Sequence, residues 1–155
     1  AVYCKKYEGF KLFSEEVIRV FSIFQELFKI QKLNRTGLRY INILPFTRED
    51  NIIPINNYLN IKIDLPKSIP TNFKNLSIIF VSQTEGGSIT TRIEPAISSD
   101  QTQEVIILDF DYAKEGDLSF SLIKEYLDES HQHTKYLFEE LITDDYKKVM
   151  LGEVI

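Results

Sequence analysis

The hydrophobic and polar positions fall into blocks of two different periods. Residues 2–7 alternate, with Val2, Cys4 and Lys6 on one side and Tyr3, Lys5 and Tyr7 on the other, which predicts an opening strand. Glu8-Gly9 ends it. Ser14, followed by Glu15 and Glu16, then reads as an N-cap with acidic residues in the first helical turn, where the helix dipole favours them. From about Ser14 to Leu33 the apolar positions Val17, Val20, Phe21, Phe24, Leu27 and Phe28 recur every three or four residues. That spacing predicts one buried helical stripe, and Ile18, Ile23 and Ile30 widen it beyond what a single sheet covers.

The period changes again over Asn34–Phe46. Leu38, Tyr40, Asn42 and Leu44 alternate with Gly37, Arg39, Ile41 and Ile43, apolar on both sides, as in a central strand. Thr47–Lys74 holds Pro54, Pro66 and Pro70 among repeated Asn residues and reads as a long irregular connection, with one short helix opened by Pro54. A meander follows: strands over Leu76–Thr84, Ile89–Ala96 and Glu104–Ala113, the first two joined by the turn Glu85-Gly86-Gly87-Ser88. A helix from about Ser119 to Thr143 carries Ile123, Leu127, His131, Thr134, Phe138 and Leu141 on one stripe, and Asp144–Met150 adds a short one. The order β-α-β-β-β-β-α predicts an α+β domain: an antiparallel sheet of about five strands with two long helices on one face.

Composition narrows the class. The 155 residues are 43% apolar and 26% charged, within the size and make-up of one globular domain. Lys+Arg 18 against Asp+Glu 23 gives a net charge of -5, and no basic run joins the scattered arginines, so neither nucleic acid nor an anionic membrane is an expected partner. No apolar run approaches the ~20 residues of a spanning helix. The single cysteine, Cys4, fits a reducing cytoplasm.

The sharpest chemical pattern is Val105-Ile106-Ile107-Leu108-Asp109-Phe110-Asp111, which puts two carboxylates on one face of a strand. It looks like the first motif of haloacid-dehalogenase-type phosphatases, in which the first Asp is the nucleophile and the second the acid/base. Those enzymes place it near the start of a parallel α/β sheet, whereas only 44 residues follow Asp111 here, so this reading is set aside. The preferred account is an ion pair between Arg39, on the other strongly apolar strand, and Asp109 or Asp111. His131 lies on the last helix's apolar stripe, and His133 off it; two apart, they are poorly placed to share a metal, and Glu129 with His133 is weak support for zinc. No metal or cofactor is expected.

Three blocks, Gly37-Leu38-Arg39-Tyr40-Ile41-Asn42, Ile107-Leu108-Asp109-Phe110-Asp111, and His131 followed by Phe138, Ile142, Thr143 and Asp144, together resemble a sporadically distributed family of bacterial and archaeal proteins with no assigned function. The likeness runs from about Tyr7 to the C-terminus. It implies that the chain is the C-terminal part of a longer protein, and a patchy distribution of the kind seen for accessory and defence genes. It implies no reaction and carries over no catalytic residue.

Two functions follow as expectations. The first is a non-enzymatic binding module that meets a second copy or a protein partner through the Ser14–Leu33 helix or a sheet edge. The second is a small-molecule pocket or enzyme site lined by Arg39, Tyr40, Asn42, Asp109, Asp111 and His131.

Overall fold

The computed structural model describes residues 1–152. Four antiparallel strands form one open sheet: β1 (Lys32–Pro45), β2 (Ile78–Gln83), β3 (Ser88–Ile97) and β4 (Glu104–Ser119), in the order β1-β4-β3-β2. Helices α1 (Phe10–Phe28), α2 (Ile55–Tyr58), α3 (Ile123–Leu141) and α4 (Asp144–Met150) complete the α+β architecture, with a 3-10 turn over Phe120–Leu122.

The sheet has four strands, not about five. Residues 2–7 alternate in sequence but join no ladder: only Val2 is partly buried, and Tyr3 to Tyr7 are exposed. Val2 packs with the α1–α3 cluster instead, and Tyr7 sits edge-on to Tyr40 at 5.7 Å.

The first helix starts a turn early and stops sooner than its stripe predicts. Gly9 precedes it at φ 114, a backbone conformation that residues with a side chain rarely adopt. Ser14 is therefore inside the helix, where its hydroxyl donates to the Lys11 carbonyl at 2.9 Å. Lys29 closes the helix in the left-handed region (φ 54), its N–H donating to the Gln25 carbonyl. The reversal lets Lys32 and Leu33 pair with Ser119 and Leu118.

β1 lies at an edge, bonded only to β4, and is not central. From Thr36 to Leu44 its even-numbered side chains face the helices, while Arg39, Ile41 and Ile43 face outward, where no layer lies among the described residues. An uncovered isoleucine row had the sequence signature of a strand buried on both sides. β4 occupies the centre: Ile106, Leu108, Phe110 and Tyr112 point inward and are at most 1% exposed.

Beneath that row lies the main core, shared with Leu44, Ile89 and Ile93 of the sheet, Tyr126 of α3, Tyr146 of α4, and Phe46, Ile53, Ile55 and Leu59 of the long connection. The connection is tied down by backbone: Leu59 bridges Ile142, and the Thr143 N–H donates to the Tyr58 carbonyl at 3.0 Å. α3 lies on β4 and β1, and α1 lies on α3. A second cluster of Val17, Leu38, Ile123 and Leu127 joins α1 to α3 and to the margin of β1. No helix among the described residues is long and apolar enough to cross a membrane.

Candidate functional site

The apolar strand β4 places Asp109 and Asp111 at odd positions, on the outer face. Ile41 and Arg92 are the cross-strand neighbours of Asp109, and Arg39 and Thr90 those of Asp111. Arg39 reaches diagonally, donating from Nε to Asp109 Oδ1 and from Nη2 to Oδ2, both at 2.7 Å. Arg92 adds an Nη1 donor to Oδ2 at 3.2 Å. Asp111 meets Arg35 instead, at 3.7 Å. Gly37 leaves room for that guanidinium, whose Nη1 would lie 3.3 Å from a Cβ there.

The Asp109 side chain is only 5% exposed, whereas those of Arg39 and Arg92 are 53% and 38% exposed. Burial pushes the Asp109 carboxyl up, but the forked hydrogen bonds and charge of Arg39, with Arg92, outweigh it and hold the group below the ordinary carboxylate range. The expected ion pair is present in a particular form: a buried carboxylate under half-exposed guanidinium groups, on an open sheet face rather than inside the core.

The other members of the predicted pocket are on the opposite side of the sheet. Tyr40 and Asn42 point to the helices, the Asn42 amide donating to the Leu108 carbonyl at 3.2 Å. Tyr40 Oη lies 3.1 Å from His131 Nδ1, and Phe10 stacks on the imidazole with centroids 3.9 Å apart and planes within 7°. Burial lowers the His131 pKa, Lys135 lowers it further, and Asp128 opposes both. Thus the six residues do not converge. Period-two alternation alone separates Arg39 from Tyr40, and the sheet's thickness does the rest.

Glu129 and His133 share a face of α3, as their spacing requires, but both are engaged with Tyr112. The phenol donates to Glu129 Oε1 at 2.8 Å, and the His133 ring stacks on it with centroids 5.1 Å apart. Among the described residues no group of three or more His, Cys, Asp or Glu side chains is placed to hold a metal ion. An open cleft of about 490 Å³ lies under the long connection, lined by Glu49, Asn57, Asn72, Ile53 and Phe73 among others, and contains none of the predicted site residues.

Arg92 and Arg35 belong to the cluster but were not singled out by sequence. The signal was available for Arg92: the three-strand meander fixes it opposite Asp109 once the hairpin register is drawn. The signal was available for Arg35 too: it shares the unbroken register of Arg39, and four residues apart in a strand puts both on one face, the irregularity of β1 lying on the other side of Arg35, toward Leu33.

A second feature lies on α1. The stripe that packs Phe10, Phe13, Val17 and Phe21 against the body continues through Phe24, Leu27 and Phe28, which are 51%, 70% and 63% exposed. Compared with known protein families, with curated proteins and with solved structures, the chain matches none.

Proposed function

We propose that this chain is a non-enzymatic interaction module, with the distal half of α1 as its contact surface for a protein partner. The observation that carries the reading is the continuous apolar stripe of α1, half packed and half open. Exposed apolar side chains gathered in one patch mark interaction sites more often than scattered ones do. The alternative, a small-molecule or enzyme site built from Arg39, Asp109, Asp111 and His131, needs those groups in one cleft, and they lie on opposite faces of the sheet. The single exposed Cys4 favours a reducing cytoplasm as the setting. The resemblance to a patchily distributed family favours an accessory or defence gene.

The experiment is site-specific photo-cross-linking in cells. A photoreactive residue replacing Phe28 is expected to give an adduct of defined mass that the same residue at Lys124, exposed on α3, does not. Equal labelling at both positions contradicts the reading.

A further inference from the structure

The outer sheet face is a mosaic with a regular plan. Across the strands its rows read Ile43, Ile107, Glu94; then Ile41, Asp109, Arg92, Ile79; then Arg39, Asp111, Thr90, Val81. Aliphatic side chains occupy both margins: Ile41 and Ile43 on β1, Ile79 and Val81 on β2, each more than half exposed. Charges run along β4 and β3 and reach the Arg35–Arg39 part of β1, three arginines (Arg35, Arg39, Arg92) against four carboxylates (Glu94, Asp109, Asp111, Glu115), so this patch carries -1 of the chain's -5. Most of the excess negative charge therefore lies elsewhere, and two copies approaching through this patch meet where mutual repulsion is weak.

We propose that this face is a self-association surface on which two copies of the chain stack sheet against sheet. The inference stands apart from the α1 reading and concerns a different surface. β3 and β4 share ten paired positions, which with four strands bound a face of about 19 by 34 Å, or roughly 600 Å² before side-chain relief is counted. That is close to the ~800 Å² per partner of a standard interface. A two-fold axis in the interface along the strands lays β1 of one copy over β2 of the other, with Ile41 on Ile79, and sets Asp109 of each copy over Arg92 of the other. Arg39 commits two of its five N–H groups to Asp109, and Arg92 one. The remaining donors are available to Glu94 and Asp111 of the second copy.

Sedimentation velocity over a dilution series tests this on three proteins: the parent, Ile43→Glu/Ile79→Glu on the sheet, and Leu27→Lys/Phe28→Lys on α1. The expected result is a dimer for the parent and the α1 variant, and a monomer for the sheet variant. The gentler Ile43→Thr/Ile79→Thr pair keeps β-branched residues in both strands and covers the case in which the glutamates prevent folding; it is expected to weaken association about tenfold or more. A parent that stays monomeric throughout overturns the proposal, as does a dimer that tolerates both sheet variants. A dimer lost only in the α1 variant also overturns it, and leaves the α1 reading standing.

Discussion

Arg39 passes over Asp111, its cross-strand neighbour, and forks onto Asp109 with two 2.7 Å hydrogen bonds. The diagonal choice follows from burial. Asp109 sits between Ile41 and Arg92 with almost no access to water, so its charge depends on protein donors, whereas Asp111 is open enough to be solvated.

Removing one donor should therefore cost more at Arg39 than at Arg92. Arg39→Ala is expected to destabilise the fold by about 1–3 kcal/mol, below the full cost of breaking a buried pair because Arg92 stays and Arg39 is half-solvated. Calorimetry should show its Tm falling by several degrees, and Arg92→Ala, which loses one 3.2 Å bond, falling less. Equal Tm values for parent and Arg39→Ala would contradict the role given to the fork.

Two of the groups that shape the acid side of the stability curve act in separate windows. The lowered pKa of folded Asp109 means that its contribution is complete above the unfolded value, 3.8, and is lost as pH falls through the lower folded value. His131 also has a lowered folded pKa, so folding favours its neutral ring; that contribution is complete above 6.5 and shrinks as pH falls below it. Urea midpoints measured against pH should decline in both windows, with the upper decline absent in His131→Phe and the lower one reduced in Asp109→Asn. An NMR titration placing the His131 pKa above 6.5 would contradict the assignment.

The hairpin between β2 and β3 separates two glycines. A Cβ on Gly87 would collide with the Ala113 carbonyl oxygen of the neighbouring strand, which is backbone and held by the sheet; one on Gly86 would meet side-chain ends only, the Glu129 carboxylate and the Tyr112 hydroxyl bonded to it. Gly87→Ala is expected to lose about 1–3 kcal/mol and Gly86→Ala less. Denaturant unfolding that ranks them the other way would mean that the turn packs differently.

α1 should behave as two halves. Val17 is buried between α1, α3 and β1, so Val17→Ala is expected to cost about 1–3 kcal/mol, while Leu27→Ala stays within about 0.5 kcal/mol. Comparable losses at both sites would show that the distal half is packed and would remove the basis for the proposed contact surface.

Much of this layout was legible in the chain. The meander, both long helices and the pairing of Arg39 with an aspartate follow from spacing, since period and turn residues are local properties. What was not legible depends on neighbours. Alternation at Ile41 and Ile43 records apolar side chains but not whether a layer covers them, so β1 read as central. The alternation of residues 2–7 satisfied a strand's period without offering a face to bury. Tyr40 and Arg39 are adjacent in sequence, yet the strand's alternation sends them to opposite faces, and that divides the predicted pocket.

The most direct test of the interaction-module reading is hydroxyl-radical footprinting of the protein in cells and after purification, with Tyr136, 64% exposed on α3, as the internal reference. The account predicts that Phe24, Leu27 and Phe28 react strongly in the purified protein at low concentration and are protected in cells relative to Tyr136. Reactivity that is the same in both settings would contradict it.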